Sequence, residues 1–327
     1  MKSKIRSLLS MTLLAMLCMT FSFSAMASSD YPNKPIQCIV TYSPGGATDL
    51  QARIATMSAD KELGQTIAIV NKPGAGGQVG WNWMVSNAKP NGYTIGTYNI
   101  PHFIAQSIVY DTKYDITSFE PVGSWGADPA VFVVSKDSEF NTVEDLIKYA
   151  KDKPGGITVS GAGMYVGHHI ALLQFEKAAG IKMTYIPMKG GVDALQAVMA
   201  NTVMAGFNNL SDAFRAKDNL KILAVADLKR TKEFLPEVAT FKELGFDVDD
   251  ASVNRRGIFL PKGTPDEIIA KCATIFPKMF KNPEVQEKMK NAGIPVEILT
   301  RDQILIQFQE KEAFLKETLK PFIKKNS

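Results

Sequence analysis

The chain has 327 residues, 45% of them hydrophobic, with 37 lysines and arginines against 33 aspartates and glutamates. That charge balance gives no argument for a nucleic-acid partner, and the length suits about two domains of common size. Beyond the N-terminus no segment is long and apolar enough to cross a bilayer, so a soluble product is expected.

Residues 1–27 read as a secretory signal peptide and not as a membrane anchor. Lys2, Lys4 and Arg6 form a positive head, an apolar stretch covers 8–23, and Ala25-Met26-Ala27 fits a small-x-small cleavage site. Cys18 falls inside this stretch, but the Ala15-Met16-Leu17 before it is not a lipoprotein cleavage box. Cleavage removes three basic residues and no acidic one, which leaves the rest of the chain near neutrality in an exported, periplasmic setting. Cys38 and Cys272 remain, and two readings stay open: a disulfide formed in an oxidising compartment, or two buried thiols.

Residues 36–40 read as a buried strand, and Thr48 is placed to cap a helix with Leu50, Ile54 and Met57 on its apolar side. A second strand at 66–70 leads into the glycine loop NKPGAGGQVG (71–80), where Val79 and Trp83 open another helix. A third strand covers 93–98. Further on, 131–134 is a strand, 142–150 a capped helix, and Lys153-Pro154-Gly155-Gly156 a break. A strand at 157–159 runs into SGAGMYVGHH (160–169), whose helix carries Val166, Ile170 and Leu173 at helical spacing. Tyr185-Ile186-Pro187 precedes MKGG (188–191) and a helix with Val192, Leu195 and Met199; strands at 203–207 and 220–225 follow. The tail differs: a short strand at 257–260, the turn Pro261-Lys262-Gly263-Thr264-Pro265, and helices over 266–280, 283–292 and 301–323. This rhythm predicts an α/β protein with mixed, mostly parallel sheets and helices on both faces. With no flexible tether, the two lobes are expected to join through short crossovers.

Four loops, at 43–48, 73–80, 160–167 and 188–191, share one grammar of strand, glycine loop and helix N-terminus. In a parallel sheet such loops emerge at the carboxyl ends of the strands, where open α/β folds bind ligands. Glycine lets backbone N–H groups approach a ligand closely, and a helix N-terminus adds unpaired donors and partial positive charge. Each such end is worth about 0.3–1 kcal/mol to an anion, rising to about 2 when partly buried. A glycine turn before a helix is also ordinary punctuation, so the argument rests on four loops together.

Competing chemistries fit less well. The loop at 74–80 misses the dinucleotide Gly-x-Gly-x-x-Gly spacing, and Lys189 precedes its glycines where a Walker lysine would follow them. His168 and His169 are adjacent, about 100° apart on a helix, so they are not an i, i+4 metal pair. His169 falls on the packed side with Val166 and Leu173; His168, nearer the loop, faces the cleft. With His102 the only other histidine and no Gly-x-Ser-x-Gly, a hydrolytic triad is not supported. For Arg255-Arg256 a solvated basic pair is the favoured reading, with one arginine facing an anion as the alternative. Asp49 and Asp193 sit in the first turns of helices, where capping is their default role.

The segments YPNKPI (31–36), SPGGATDLQAR (43–53), LGQ (63–65), NKPGAGGQVG (71–80) and PNGYTIGT (90–97) occur in series, followed by MKGG (188–191), LPEVATFKELGFD (235–247) and PKGTP (261–265). In order and spacing this resembles the tripartite tricarboxylate transporter receptors, also called Bug solute-binding proteins, over nearly the whole mature chain. The resemblance implies a type II periplasmic binding protein with a cleft between two αβ domains. Domain one would hold 28–128 plus 251–327 and domain two 129–250. It implies a small carboxylate ligand: a di- or tricarboxylate, an acidic amino acid or an aromatic acid. A membrane transporter is the implied partner, a monomer the implied state, and no catalytic residue, metal or cofactor is expected.

Carried over by motif, the first carboxylate loop is Tyr42, Ser43, Pro44, Gly45, Gly46, Ala47, Thr48 and Asp49, and the second is Ala75, Gly76 and Gly77. The domain-two loop is Ser160, Gly161, Ala162, Gly163 and Met164 with His168. Asn99, Lys189, Gly190, Asn208 and Arg256 complete the expected ligand-binding set. The chain departs from the family pattern at Met164, where a hydroxyl residue is usual, at Asn208, where Asp is common nearby, and at Ala239, where Pro is common. It also has Arg255-Arg256 where an aromatic pair is common. The changes in domain two point to a ligand with a second acidic group. Two other functions were weighed: a sensor partner of a membrane kinase using the same cleft, and a secreted enzyme using His168 with Asp49 or Asp193. The lack of a plausible nucleophile–base pair counts against the enzyme.

Overall fold

The computed structural model describes residues 31–320; the signal peptide read at 1–27 lies outside the described residues. The chain opens with β1 (Ile36–Val40), α1 (Ala47–Ala55), the short α2 (Ala59–Leu63), β2 (Ile67–Asn71), α3 (Gln78–Asn87), β3 (Thr94–Ile100) and α4 (His102–Val109). The long strand β4 (Phe119–Asp128) then leads, through Pro129 alone, into β5 (Ala130–Ser135). From there run α5 (Val143–Asp152), β6 (Thr158–Gly161), α6 (Gly167–Ala179), β7 (Thr184–Pro187), α7 (Gly191–Met199), β8 (Ala205–Asn209), α8 (Leu210–Arg215) and β9 (Leu220–Ala226). The chain returns in β10 (Asn254–Pro261) and ends in α9 (Asp266–Phe280), α10 (Pro283–Asn291) and α11 (Arg301–Thr318).

Two five-stranded sheets result, ordered β2-β1-β3-β10-β4 and β7-β6-β8-β5-β9. The fold is the expected two-domain α/β arrangement, with one correction. β1 is parallel to β2 and β3, and β6 to β7 and β8, but β10 and β5 run antiparallel to both their neighbours. Each sheet is therefore half parallel, not mostly so. The reason is topological: β5 and β10 are the strands that arrive from the other lobe, and each enters its new sheet from the opposite direction.

The alternation of side chains along β1 builds two layers in lobe one. Cys38 and Val40 pack with Phe276, Phe280 and Met289 of α9 and α10. Ile39 joins Trp81, Phe103, Phe259 and Phe308 on the opposite face. In lobe two, β5 sends Phe132 and Val134 to a cluster with Phe175, Phe207 and Phe241, and Val131 and Val133 to one with Leu195, Leu210 and Phe234.

Most elements fall within one to three residues of expectation. α5 begins with a full capping box between Thr142 and Asp145. Thr48, however, does not cap α1: the helix starts at Ala47 with Gly46 as N-cap, and Thr48 lies inside the first turn. β4 and α4 carried no readable pattern. β4 includes Pro121, Gly123 and Gly126, which sequence reasoning treats as breaks, and as an edge strand it tolerates the proline. α4 is buried nearly all round, so no apolar stripe marks it. The C-terminal helix ends at Thr318; the expected continuation to 323 runs outside the described residues. No helix among the described residues is long and apolar enough to cross a membrane.

Cys38 and Cys272 are both buried free thiols, although they share one core cluster. Burial pushes Cys38 up to about 12 and Cys272 up to about 11. Neither should react with a thiol reagent in the native protein, and both should label once denaturant unfolds the chain. Reductant should leave Tm unchanged; a fall in Tm on reduction would show that the two pair.

Candidate functional site

The loops after β1, β6 and β7 meet at one cavity where the two lobes face each other. Its walls are Tyr42, Ser43, Gly46, Ala47 and Thr48, then His102, Asn254 and Arg256 from lobe one, with Ala162, His168, Gly190, Gly191, Val192 and Asn209 from lobe two. The enclosed space is about 20 Å³, enough for about one water. Any organic ligand therefore requires the lobes to part. A larger hollow of about 1260 Å³, walled by α5, α6 and the end of α11, has no helix N-terminus opening onto it through a glycine loop.

Three helix starts surround the cavity without side-chain caps: α1 behind Gly46, α6 behind Val166 and α7 behind Gly190. By contrast the outward-facing α5, α10 and α11 are capped by Thr142, Asn282 and Thr300. First-turn amides that no side chain satisfies remain available to a ligand.

The first loop is held in shape by groups that do not reach the cavity. Asp49 accepts from Gly45 N at 2.9 Å, from Arg53 Nε and Nη2 at 3.0 Å and from Asn71 Nδ2 at 2.9 Å. Burial works against its charge, but these bonds from Arg53, Gly45 and Asn71 keep its carboxyl below the ordinary range. The Tyr42 hydroxyl donates to Gly76 O at 2.7 Å and so ties the first loop to the second. Pro44 and Gly45 are exposed at the loop tip.

Ala75, Gly76 and Gly77 form the interlobe seam beside the cavity, not its wall. A Cβ on Gly163 would stand 2.8 Å from Gly76 Cα, and both glycines have positive φ, so the two backbones touch only because neither carries a side chain. Gln106 Nε2 crosses the same seam to Met164 O at 3.1 Å. Ser160 spends its hydroxyl on Ala194 O at 2.8 Å, and Met188 N donates to Gly161 O at 2.8 Å. Asn208 Nδ2 donates to Gly191 O at 2.9 Å and so sets the start of α7. Asn99 is buried behind Thr48, 3.0 Å from its hydroxyl, and Lys189 is exposed.

Arg255 and Arg256 overturn the expectation of a solvated pair. Successive strand residues point to opposite faces, so the two have different fates. Arg255 turns outward to Glu297 at 3.0 Å and Asp250 at 3.4 Å. Arg256 is fully buried on the cavity floor. It donates to Asp128 Oδ2 at 2.9 Å and Gln51 Oε1 at 3.3 Å from Nη1, to Asn209 Oδ1 at 2.7 Å from Nη2, and to Thr48 Oγ1 at 3.1 Å from Nε. Asp128, also fully buried, accepts further bonds from Gln51 Nε2 at 2.9 Å, Ser211 N at 3.1 Å and Ser211 Oγ at 2.5 Å. This network crosses between the lobes through Asn209 and Ser211.

The histidines are neutral wall elements. Ala162 N donates to His168 Nδ1 at 3.1 Å, while His168 Nε2 is buried and makes no hydrogen bond. Burial pushes this imidazole down to about 4; the nearby Asn209 dipole opposes the shift weakly and the Arg256 charge adds to it. Burial likewise pushes His169 down to about 4 and holds His102 well below its ordinary value. His169 is packed, its ring stacked on Tyr185 with centroids 4.4 Å apart.

His102, Asn209, Asn254 and Val192 were not singled out as site residues from sequence. Asn209 carried a weak signal, as the last residue of a strand whose neighbour Asn208 was named. Asn254 and His102 carried none, because only the pairing of β10 with β3 and β4 brings them to the floor.

The family model for the tripartite tricarboxylate transporter family receptor matches residues 51–325. The chain is 31% identical over 272 residues to the UPF0065 protein in gbd 5'region of Cupriavidus necator, covering 81% of this chain and 80% of that protein. Among solved structures it is similar to the periplasmic binding protein BugD, with a TM-score of 0.82 and 27% identity over 89% of this chain and 98% of that one. It shares its fold with the R. palustris protein Rpa4515, solved with adipate, with a TM-score of 0.82 and 23% identity over 90% and 98% of the two chains.

Two outcomes follow from the buried charges. Asp128→Ala strands the Arg256 charge and should destabilise the protein by about 3–5 kcal/mol in urea unfolding; a loss below about 1 kcal/mol would show that water relieves the arginine. His168 and His169 have folded values near 4 against an ordinary 6.5, so the unfolded chain binds more protons between those limits. Stability should be fully present above pH 6.5 and fall as pH drops toward 4, by roughly 3 kcal/mol per histidine. Flat stability over that window in pH-resolved melts would contradict the burial.

Proposed function

The chain belongs to the tripartite tricarboxylate transporter receptor family, whose members are periplasmic solute-binding proteins and not enzymes, and we propose that it captures a small carboxylate between its lobes and delivers it to a tripartite-type membrane transporter. The observation that carries this reading is the meeting of three uncapped helix starts, from both lobes, at one cavity. In this reading the amides of Ala47 and Thr48 hold one carboxylate, and Ala162, His168 and the start of α7 meet the rest of the ligand. A carboxylate needs only a few donors and modest positive potential, which backbone amides supply. That Rpa4515, a protein of the same fold, was solved with adipate is consistent with such a ligand.

The proposed moving bodies are 28–128 with 251–327 and 129–250, hinged where β4 passes through Pro129 into β5 and where the chain returns before β10. Opening separates Arg256 from Asn209 and Gln106 from Met164; closing on a ligand restores contacts of this kind. Export through cleavage of the 1–27 signal and action as a monomer complete the proposal.

A thermal-shift screen of carboxylic acids tests it. A ligand at 100 times its Kd should stabilise the protein by about 2.7 kcal/mol. Gly46→Val should abolish that shift without unfolding lobe one. Gly46 has φ −76° and ψ 170°, open to any residue, but its Cβ would stand 3.4 Å from Val192 Cγ2 across the closing seam. Unchanged affinity in Gly46→Val would show that this loop does not close on the ligand.

A further inference from the structure

We propose that lobe two selects a hydrogen-bond acceptor at the ligand's far end and rejects an ammonium there, with His168 as the specificity-determining donor. This rests on the carboxylate reading above and narrows it: dicarboxylates and keto or amide acids are taken, while acidic amino acids are refused.

The first step is the tautomer. Because Ala162 N–H donates to Nδ1, the neutral ring must carry its proton on Nε2. The ring is 2% exposed and lines the cavity, and Nε2 has no protein partner. The wall therefore presents a fixed N–H whose need for an acceptor nothing in the protein meets.

The second step is the state of the neighbouring acceptors. Asp128 is spent on Arg256, Gln51 and Ser211. Asp212 is spent on Arg215 and on Asn209 Nδ2. Asn209 Oδ1 is taken by Arg256 at 2.7 Å. Arg256 has used four of its N–H groups, which leaves one on Nη2 as a further donor. An ammonium brought to this wall meets two donors, a guanidinium and no free carboxylate. A carboxylate or carbonyl oxygen meets partners for both donors.

One atom speaks for the opposite preference. Asp193 Oδ2 is buried without a partner near the start of α7, about 3.5 Å from the Cβ position of Gly190. Asp193 does not line the cavity, and its place in the first turn of α7 suits a carboxylate stabilised by the helix end. It is the residue to remove when the preference is tested.

The test uses matched pairs in calorimetry on the full mature protein: succinate against L-aspartate, glutarate against L-glutamate, and adipate against 6-aminohexanoate. The expected result is that, for whichever pair binds, the dicarboxylate is at least about tenfold tighter. His168→Leu should remove about tenfold or more of that affinity while the melting curve stays cooperative. His168→Gln, which returns an N–H near the Nε2 position, should recover most of it. Asp193→Asn should keep the same order. Independently of any ligand, ¹⁵N NMR of the imidazole should show the Nε2–H tautomer from pH 8 down to pH 5.5, with Arg256, Asp128, His102 and Tyr185 as the charged or titratable groups around it. An Nδ1–H tautomer, or an amino acid that matches its dicarboxylate partner and depends on Asp193, overturns the proposal alone. A panel in which no carboxylate binds overturns the carboxylate reading and this inference with it.

Discussion

The junction of the two lobes is organised around one ion pair without access to water, Arg256 with Asp128. Removing a guanidinium and a carboxylate from solvent costs several kcal/mol each, and their attraction offsets this only when the remaining donors and acceptors are met. Lobe one alone cannot meet them. Thr48 and Gln51 come from α1, but Asn209 and Ser211 come from the end of β8 and the start of α8. Full satisfaction of the pair is thus a property of the approached lobes. Trp125 Nε1 holds Gln51 Oε1 at 3.0 Å and so extends the same constraint into the core of lobe one.

The topology explains why this pair stands where a ligand would be gripped. β4 leaves lobe one at Asp128, and β10 returns at Asn254, directly opposite it in the antiparallel ladder. β8 ends at Asn209 opposite Ala130, the first residue of β5. Both crossings therefore deliver polar residues to the same few ångströms, beneath loops that the parallel strands β1, β6 and β7 present from above. A hinge, an ion pair and the ends of three helices occupy one place because the chain passes between its sheets only there.

Much of this was legible in advance. Glycine loops between strand and helix mark the carboxyl edge of a parallel ladder, so the loops at 43–48, 160–167 and 188–191 identify themselves by local pattern. The loop at 73–80 shares the pattern but forms the seam, because its glycines meet Gly163 across the lobes. Asp49 looks like a wall residue by position and is a brace by geometry, since Arg53 and Asn71 are placed to hold it. β4 escaped notice because proline and glycine at a sheet edge carry the same local signal as a turn.

The sequence by itself determined the strand and helix rhythm, the export signal as an expectation, the family and the donor-rich loops, because each is written in residues close together along the chain. Only the tertiary structure decided the fate of Arg256, the tautomer of His168 and the identity of the floor residues His102, Asn209 and Asn254. Those depend on strand register and on partners more than forty positions away or on the opposite lobe, and a side chain's charge, exposure and free hydrogen bonds are set by what surrounds it in space.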